Sequence, residues 1–284
     1  MTRLIDLHND VITMVNSSRF KKYVEGAARV GVEVILVSVW TTEMSDPMAK
    51  VRKFRILLDS IRDCNAENNT KPPKLLLHIE DAWFVTERNI DELLALKPFS
   101  VGLTWNGANP LASGSCADGP LTPLGGVVVK KLVANGVAVD FSHLNKQSFH
   151  DVSNLVLSQG ERVFCTHACF DEINTHPRNL DRDQIQIIVN SGGLVGLTLV
   201  GDFLCGAKRA TLHDVYNHIK YFIDNFGDDN IAVGTDFFGT NNLPTGLRKY
   251  KHFKRLEKYL VRRGISPETV DKIFYANARK FLTS

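Results

Sequence analysis

Several features are scarce or missing in this chain of 284 residues, and each absence argues against a class of protein. No apolar run approaches the ~18 residues that a membrane-spanning helix needs. The formal net charge is only +3, which is too small to indicate a nucleic-acid partner. Five cysteines are an odd count, which suits reduced thiols better than a disulfide framework. Neither nucleic acid nor membrane is therefore expected among the partners.

Targeting signals and linkers are also missing. Residues 1–6 lead straight into an apolar run without the hydrophobic region of a signal peptide. Residues 279–284 carry no hydrophobic tail of the kind found in lipid-anchor signals. Together with the cysteine count, these features predict a cytoplasmic protein. No Gly/Ser-rich or Pro-rich segment divides the chain, so we expect one domain over residues 1–284.

Apolar, β-branched runs recur along the chain with helical patterns between them. Near-continuous apolarity is typical of parallel strands that are buried on both faces. The eight runs are residues 4–8, 32–40, 74–80, 100–105, 137–143, 163–167, 194–199 and 231–236. They predict an α/β protein, a (β/α)8 TIM barrel. An open doubly wound sheet is the alternative, but no glycine-rich phosphate loop follows the first run.

Histidines and acidic residues stand at the carboxyl ends of five of these runs. Enzymes with this fold carry their chemistry at that end of the barrel, so the side chains are expected to converge. They are His8, Asp10, Glu80, His143, His167 and Asp236. Side chains alternate across a strand, which lets His8 and Asp10 point inward together.

Neutral imidazoles and carboxylates are the ligands that a pair of divalent cations requires. Glu80 is the natural bridge, because the two oxygens of one carboxylate can serve both ions. His8 and Asp10 would hold one ion, and His143 and His167 the other. Asp236 is then left as a proton carrier or an extra ligand. Zinc is the default for such a set, although Mn, Co or Fe fit the same ligands.

Each of these residues has a structural alternative. A single histidine at a strand end is more often a hydrogen-bonded core or loop residue. Asp10 could begin a helix instead, and Cys165 is better explained as a buried cysteine than as a ligand. His218 belongs to a helical pattern and is expected to face solvent. The metal interpretation is favoured because five such coincidences fall at matching strand ends.

At these residues the chain resembles the membrane dipeptidase group, also called renal dipeptidase or peptidase family M19, as a divergent, short member of microbial type. The resemblance runs nearly from end to end. It is carried by Leu7-His8-Asn9-Asp10, Ile79-Glu80-Asp81, Gly102-Leu103-Thr104-Trp105-Asn106-Gly107-Ala108-Asn109, Leu121-Thr122-Pro123-Leu124-Gly125, Val139-Asp140-Phe141-Ser142-His143, Thr166-His167, His176-Pro177-Arg178-Asn179, Gly234-Thr235-Asp236-Phe237 and, more weakly, Ala276-Asn277-Ala278-Arg279. Asp81 stands where the family usually has Gly.

The resemblance implies a metal-dependent dipeptidase that hydrolyses short unblocked peptides. A bridging water acidified by two divalent ions would attack the peptide carbonyl, with Glu80 and Asp236 as the catalytic carboxylates. Arg178 would clamp the free carboxylate of the substrate, although a surface salt bridge would explain it equally well. Trp105 and Asn106 would belong to the substrate pocket. A homodimer stays open.

Trp105 is the main departure from the family, which usually has a histidine there that is thought to support the oxyanion. An indole donates one N–H but carries no proton charge. This change leaves two alternatives open. One is a related binuclear amidohydrolase acting on another amide or a modified dipeptide, and the other is a non-catalytic metal-binding barrel.

Overall fold

Eight parallel strands lie side by side in chain order within the part of the chain that the structure describes. This computed structural model describes residues 3–65, 72–206 and 209–283, without the side chains of residues 62–65. Met1, Thr2, Ser284 and the side chain of Cys64, which were counted in the predictions above, fall outside that description. The strands are β1 Leu4–Asn9, β2 Val32–Trp40, β3 Lys74–Glu80, β4 Ser100–Gly102, β5 Ala138–Asp140, β6 Phe164–Ala168, β7 Leu194–Leu197 and β8 Ile231–Val233.

The first and last strands meet and close the sheet into a barrel. The Asp236 amide donates to the His8 carbonyl at 3.1 Å, and the Asp10 amide donates to the Phe237 carbonyl at 3.0 Å. The buried Asp6 carboxylate adds a clamp, because it accepts from the Thr235 amide at 2.8 Å and from its hydroxyl at 2.7 Å. The prediction of a TIM barrel is confirmed. The single domain over residues 1–284 stays a prediction.

Helices connect and cover the strands. They are α1 Val11–Met14, α2 Ser17–Arg29, α3 Pro47–Asn65, α4 Ile90–Ala95, α5 Pro123–Ala134, α6 Lys146–Ser158, α7 Arg182–Asn190, α8 Gly201–Cys205, α9 Leu212–Phe226, α10 Phe253–Arg262, α11 Pro267–Asp271 and α12 Asn277–Thr283, with a 3-10 turn at Tyr250–His252 and a π-helical turn at Lys272–Ala276. None of these helices in the described chain is long and apolar enough to cross a membrane.

The last helix covers the amino ends of two strands. Phe281 of α12 stacks on Phe164, the first residue of β6, with ring centroids 4.8 Å apart. Leu194, the first residue of β7, belongs to the same buried cluster. This packing leaves the carboxyl ends of the strands, at the other end of the barrel, as the place for a site.

Four strands are shorter at the carboxyl end than the apolar runs predicted. β7 ends at Leu197 rather than at residue 199, and the other three corrections bear on the site. β4, β5 and β8 end at Gly102, Asp140 and Val233 rather than at residues 105, 143 and 236. His143 and Asp236 therefore lie in the turns beyond the strands, with left-handed φ angles of 71° and 57°. From these turns the His143 side chain reaches Glu80, and the Asp236 side chain joins His8 and Asp10.

The prediction that His218 faces solvent is wrong. His218 on α9 is fully buried. Its Nδ1 accepts from the Phe170 amide at 3.2 Å, and its Nε2 faces the Leu204 carbonyl at 2.9 Å. Burial lowers the pKa of His218 to about 4. The ring thus ties the loop after β6 to α8 as a neutral hydrogen-bonding group.

Candidate metal centre

The structure brings the predicted histidines and acids together at the carboxyl end of the barrel. His8, Glu80 and His167 offer ligand atoms within 4.8 Å of one another, and so do His8, Asp10 and Asp236. All are buried or nearly so. Asp10 immediately precedes α1, as its alternative interpretation allowed, yet it makes no side-chain cap bond to that helix. Its carboxylate belongs to the cluster instead.

Glu80 lies between two histidines and presents a different oxygen to each. Its Oε2 is 3.3 Å from Nε2 of His8, and its Oε1 is 3.0 Å from Nε2 of His143. Ser38 of the neighbouring strand donates to Oε2 at 2.9 Å and fixes the carboxylate. Glu80 is the last residue of β3, so the strand register itself sets this position.

The imidazole nitrogens of the cluster face one another. Nε2 of His143 lies 3.0 Å from Nε2 of His167. Nε2 of His8 is 3.4 Å from Oδ2 of Asp10, and neither atom has a hydrogen-bond partner within the described chain. Buried polar atoms without partners are costly, and a cation placed among them would satisfy these lone pairs.

Electrostatics in the cluster favour a positive charge. Burial disfavours charge on His8, but the carboxylates of Asp10 and Glu80 outweigh it and raise its pKa well above the usual value. Burial would raise the pKa of Glu80, but the His8 charge and the close approach of the His143 and His8 rings hold it well below its usual range.

The other two histidines are held neutral. Burial, together with the Arg178 charge, lowers the pKa of His143 to about 4. Burial and the charges of His8 and Arg178 keep the pKa of His167 well below its usual value. Neutral imidazoles beside an ionised carboxylate are the donor set of a divalent metal site, so the residues present fit the expected group.

Asp236 lies at the outer side of the cluster. Burial and the charge of Asp10 raise its pKa well above the usual value. Gly239 is packed against this pair, because a Cβ there would lie 2.0 Å from Oδ1 of Asp236 and 2.6 Å from Oδ2 of Asp10. Only a glycine lets this loop approach the two carboxylates so closely.

A cavity of about 430 Å³ opens above the cluster. Its lining combines apolar side chains with the acids and histidines of the candidate metal site. The lining residues are Met14, Trp40, Trp105, Val200, Phe203 and Phe238, then Asp10, Thr13, Glu80, Asn106, His143, His167, Asp202, Asp236, Gly239 and Thr240. Trp105 meets Trp40 edge to face, with ring centroids 5.4 Å apart.

A sequence model of one family, described as membrane dipeptidase (peptidase family M19), matches residues 49–284. The chain belongs to this family. Its enzyme class is therefore that of a metallopeptidase, and the predicted resemblance is confirmed. The match does not include His8 and Asp10, which β1 and the turn after it bring into the cluster.

Individual relatives support the assignment. A Klebsiella pneumoniae protein from the 5′ region of pqqA is 32% identical over 79% of this chain and 86% of its own length. Dipeptidase ataJ of Aspergillus terreus is 29% identical over 55% of this chain, and that match spans only 38% of ataJ. A Rhodobacter sphaeroides metallopeptidase, solved with a phosphinate mimic of L-Ala-D-Ala, has the same fold at a TM-score of 0.83 and 17% identity, over 99% of this chain and 98% of that one.

Arg178 does not line the cavity itself, although it contacts His167 and Phe203, which do. It is buried and lies over the Phe203 ring, with its Cζ 5.4 Å from the ring centroid. Its Nη2 donates to Nε2 of His167 at 2.9 Å, and its Nε has no partner within the described residues. The surface salt bridge considered from the sequence is wrong, because a buried guanidinium faces a histidine here.

Asn106 both lines the cavity and touches a histidine. Its Oδ1 lies 2.8 Å from Nδ1 of His143, so it holds that ring as well as reaching the space above it. Trp105 also lines the cavity, with its ring centroid 6.3 Å from that of His143. Both predicted pocket residues are therefore brought beside the metal centre.

Sequence reasoning missed the polar residues that support the ligands from below. Asp140, Ser142 and Thr166 are buried and hydrogen-bonded together beneath the histidines. One signal was available, because Asp140 interrupts an apolar strand, and a buried carboxylate is costly unless it has hydrogen-bonding partners.

Proposed function

We propose that this chain is a dipeptidase that hydrolyses short unblocked peptides at a centre of two divalent ions, zinc by default. The observation that carries the proposal is Glu80, whose two oxygens face His8 and His143 at 3.3 and 3.0 Å. One carboxylate between two sets of ligands is what a pair of ions 3.5–4 Å apart needs. His8 and Asp10 would hold one ion, and His143 and His167 the other.

When bound, such an ion pair supplies an acidified water nucleophile and polarises the scissile carbonyl. The residues of the chain provide the proton transfer and the positioning. Asp236 borders the cavity beside Asp10, where it can take a proton and pass it to the leaving amine. The apolar wall keeps water away from the side chains of a bound peptide.

Arg178 would recognise the free carboxylate of the substrate. Its present contact with Nε2 of His167 uses the lone pair that a metal ion would take. Once an ion is there, like charges oppose that contact and favour turning the guanidinium toward the cavity. A guanidinium fork suits a carboxylate, so amidation of the substrate's C-terminus should weaken binding.

Replacing Glu80 tests the proposal directly. We expect Glu80→Gln to lower metal content below two ions per chain and to reduce kcat/KM for unblocked dipeptides by about 10³-fold, since ~4 kcal/mol of metal-assisted stabilisation would be lost. Glu33→Gln is the matched control, because Glu33 lies near the amino end of β2, where it accepts from Tyr275. Full dipeptidase activity after thorough chelation would reject the proposal.

Trp105 motivates a second candidate, a binuclear amidohydrolase for another amide or a modified dipeptide. The Trp105–Trp40 pair makes one wall of the cavity apolar where the family usually offers a histidine. Restoring an oxyanion donor is worth ~2.7–4 kcal/mol. A gain of about 100-fold or more in dipeptide turnover by Trp105→His would favour this candidate, whereas a loss would favour the dipeptidase.

The remaining alternative is a metal-binding barrel without catalysis. It requires that the protein binds two ions and turns over no member of a broad amide panel. Asp236 argues against this alternative, because a protein that only binds metal does not need a proton carrier. A cytoplasmic location and a homodimer stay predictions, which fractionation and light scattering would test.

A further inference from the structure

A single hydroxyl lies beneath the metal centre and contacts two of its histidines. Thr166 Oγ1 is 3.2 Å from Nδ1 of His8 and 2.9 Å from Nδ1 of His167. It also donates to Oδ2 of Asp140 at 2.7 Å. Thr166 and Asp140 are both fully buried, so no solvent competes for these bonds.

The number of hydrogens fixes the direction of each bond. A threonine hydroxyl has one hydrogen and two lone pairs. The hydrogen of Thr166 is used on Asp140, so toward the two rings its oxygen can only accept. His8 and His167 must then both carry a hydrogen on Nδ1. The neutral His167 ring is left with a lone pair on Nε2, which faces His143. The Nε2 atom of His8 faces Glu80 and has such a lone pair once a bound cation displaces its proton.

The Asp140 carboxylate is fixed by hydrogen bonds, so that it accepts the hydrogen of the Thr166 hydroxyl. Its Oδ1 accepts from the Thr166 amide at 2.8 Å and from the Ser142 amide at 3.1 Å. The Ser142 hydroxyl donates to the same oxygen at 2.8 Å. Three donors on one oxygen leave Oδ2 for the Thr166 hydroxyl.

We propose that Thr166, oriented by Asp140, is a positioning residue that sets the tautomer of one ligand histidine on each side of the bridging Glu80. The inference rests on the proposed function for the identity of the ligands. His8 and His167 would serve different ions, so one hydroxyl prepares both halves of the centre. Asn106 does the same for His143, whose Nδ1 faces its amide oxygen at 2.8 Å.

A purely structural role is the competing explanation, because the Thr166–Asp140 bonds also join β6 to β5. Two substitutions separate the roles. Thr166→Val keeps the shape and removes the acceptor, whereas Thr166→Ser keeps the acceptor. Thr198→Val is the matched control, since the buried Thr198 hydroxyl has no partner within the described residues.

Zinc titration of the metal-free full-length protein gives the first measurement. Loss of a partner behind a ligand histidine typically costs about 10–100-fold in metal affinity. We expect Thr166→Val to lose this much at both ions, Thr166→Ser to stay within a few-fold of wild type, and Thr198→Val to be unchanged. Wild-type affinity in Thr166→Val, or weakening at one ion only, would overturn the proposal.

Nitrogen-15 histidine spectra of the metal-free wild type give a second reading that needs no variant to fold. The neutral His167 ring should carry its hydrogen on Nδ1, and a hydrogen on Nε2 would contradict the inference. Failure of the proposed function looks different: the protein would bind zinc as described here and hydrolyse no dipeptide.

Discussion

Substitutions of Asp81 test whether the backbone turn after β3 positions the side chain of Glu80. Asp81 directly follows Glu80 and adopts φ = 66°, a left-handed conformation that is uncommon for residues other than glycine. This conformation explains why the family usually has Gly here. Two bonds support the aspartate, one from Asn109 Nδ2 to Oδ1 at 2.8 Å and one from Thr42 Oγ1 to Oδ2 at 2.7 Å.

The magnitudes follow from these contacts. Both Asp81→Ala and Asp81→Gly lose the two hydrogen bonds, at roughly 1 kcal/mol each. Alanine keeps the left-handed cost of about 1–2 kcal/mol that Asp81 already bears, whereas glycine is relieved of it. Glycine in turn loses ~0.5–1 kcal/mol through the greater freedom of its unfolded chain. Relative to wild type, we therefore expect losses of ~2 kcal/mol for alanine and ~1 kcal/mol for glycine.

Denaturant unfolding of the two variants and of wild type measures this difference in the free energy of unfolding. The difference is calculated from the transition midpoints, with one common dependence of the free energy on denaturant concentration. Zinc content of the same samples reports whether Glu80 is still correctly aimed, and we expect glycine to retain more metal than alanine. Equal stability and equal metal content in the two variants would refute the left-handed turn as the device that positions Glu80.

Two further predictions concern the loop after β8 and a buried histidine. Gly239→Ala should displace Asp236 and Asp10, because the new Cβ would lie 2.0 and 2.6 Å from their carboxylate oxygens. We expect activity to fall about 100-fold or more. Gly107→Ala is the control in the same assay, because a Cβ at that position meets nothing within 4 Å. Burial lowers the pKa of His218 from 6.5 to about 4. The neutral ring therefore contributes ~3 kcal/mol to the free energy of unfolding above about pH 6.5, and this contribution is lost as the pH falls through 4. Thermal melts across that range should lose this part of the pH dependence in His218→Gln, and an unchanged dependence would show that the ring is not the titrating group.

The sequence predicted the fold well because the barrel's strands are nearly continuous apolar runs. β1, β2, β3 and β6 follow the predicted runs to within one residue at each end. Helix starts also coincide with common capping residues: Thr122 caps α5 through the Gly125 amide at 2.9 Å, and Ser266 caps α11 through the Thr269 amide at 3.0 Å. These signals are local, so neighbouring residues suffice to predict them.

His218 and Arg178 show where local reasoning failed. A helical pattern does not reveal that the loop after β6 and α8 pack over one face of α9, so the burial of His218 could not be foreseen. The environment of Arg178 likewise depends on His167 and Phe203, which belong to other β/α units. Burial of a polar side chain is decided by what packs over it.

By itself, the sequence determined that eight apolar strands would stand in parallel and that histidines and acids would follow them at one end, because strand order and side-chain alternation are properties of the chain. Only the tertiary structure decided which atoms face each other. The left-handed turns at Asp81, His143 and Asp236, the close approach of Gly239, and the Thr166 hydroxyl shared by two rings all depend on contacts between distant segments. Such contacts come from closure of the barrel, and no local pattern encodes their distances.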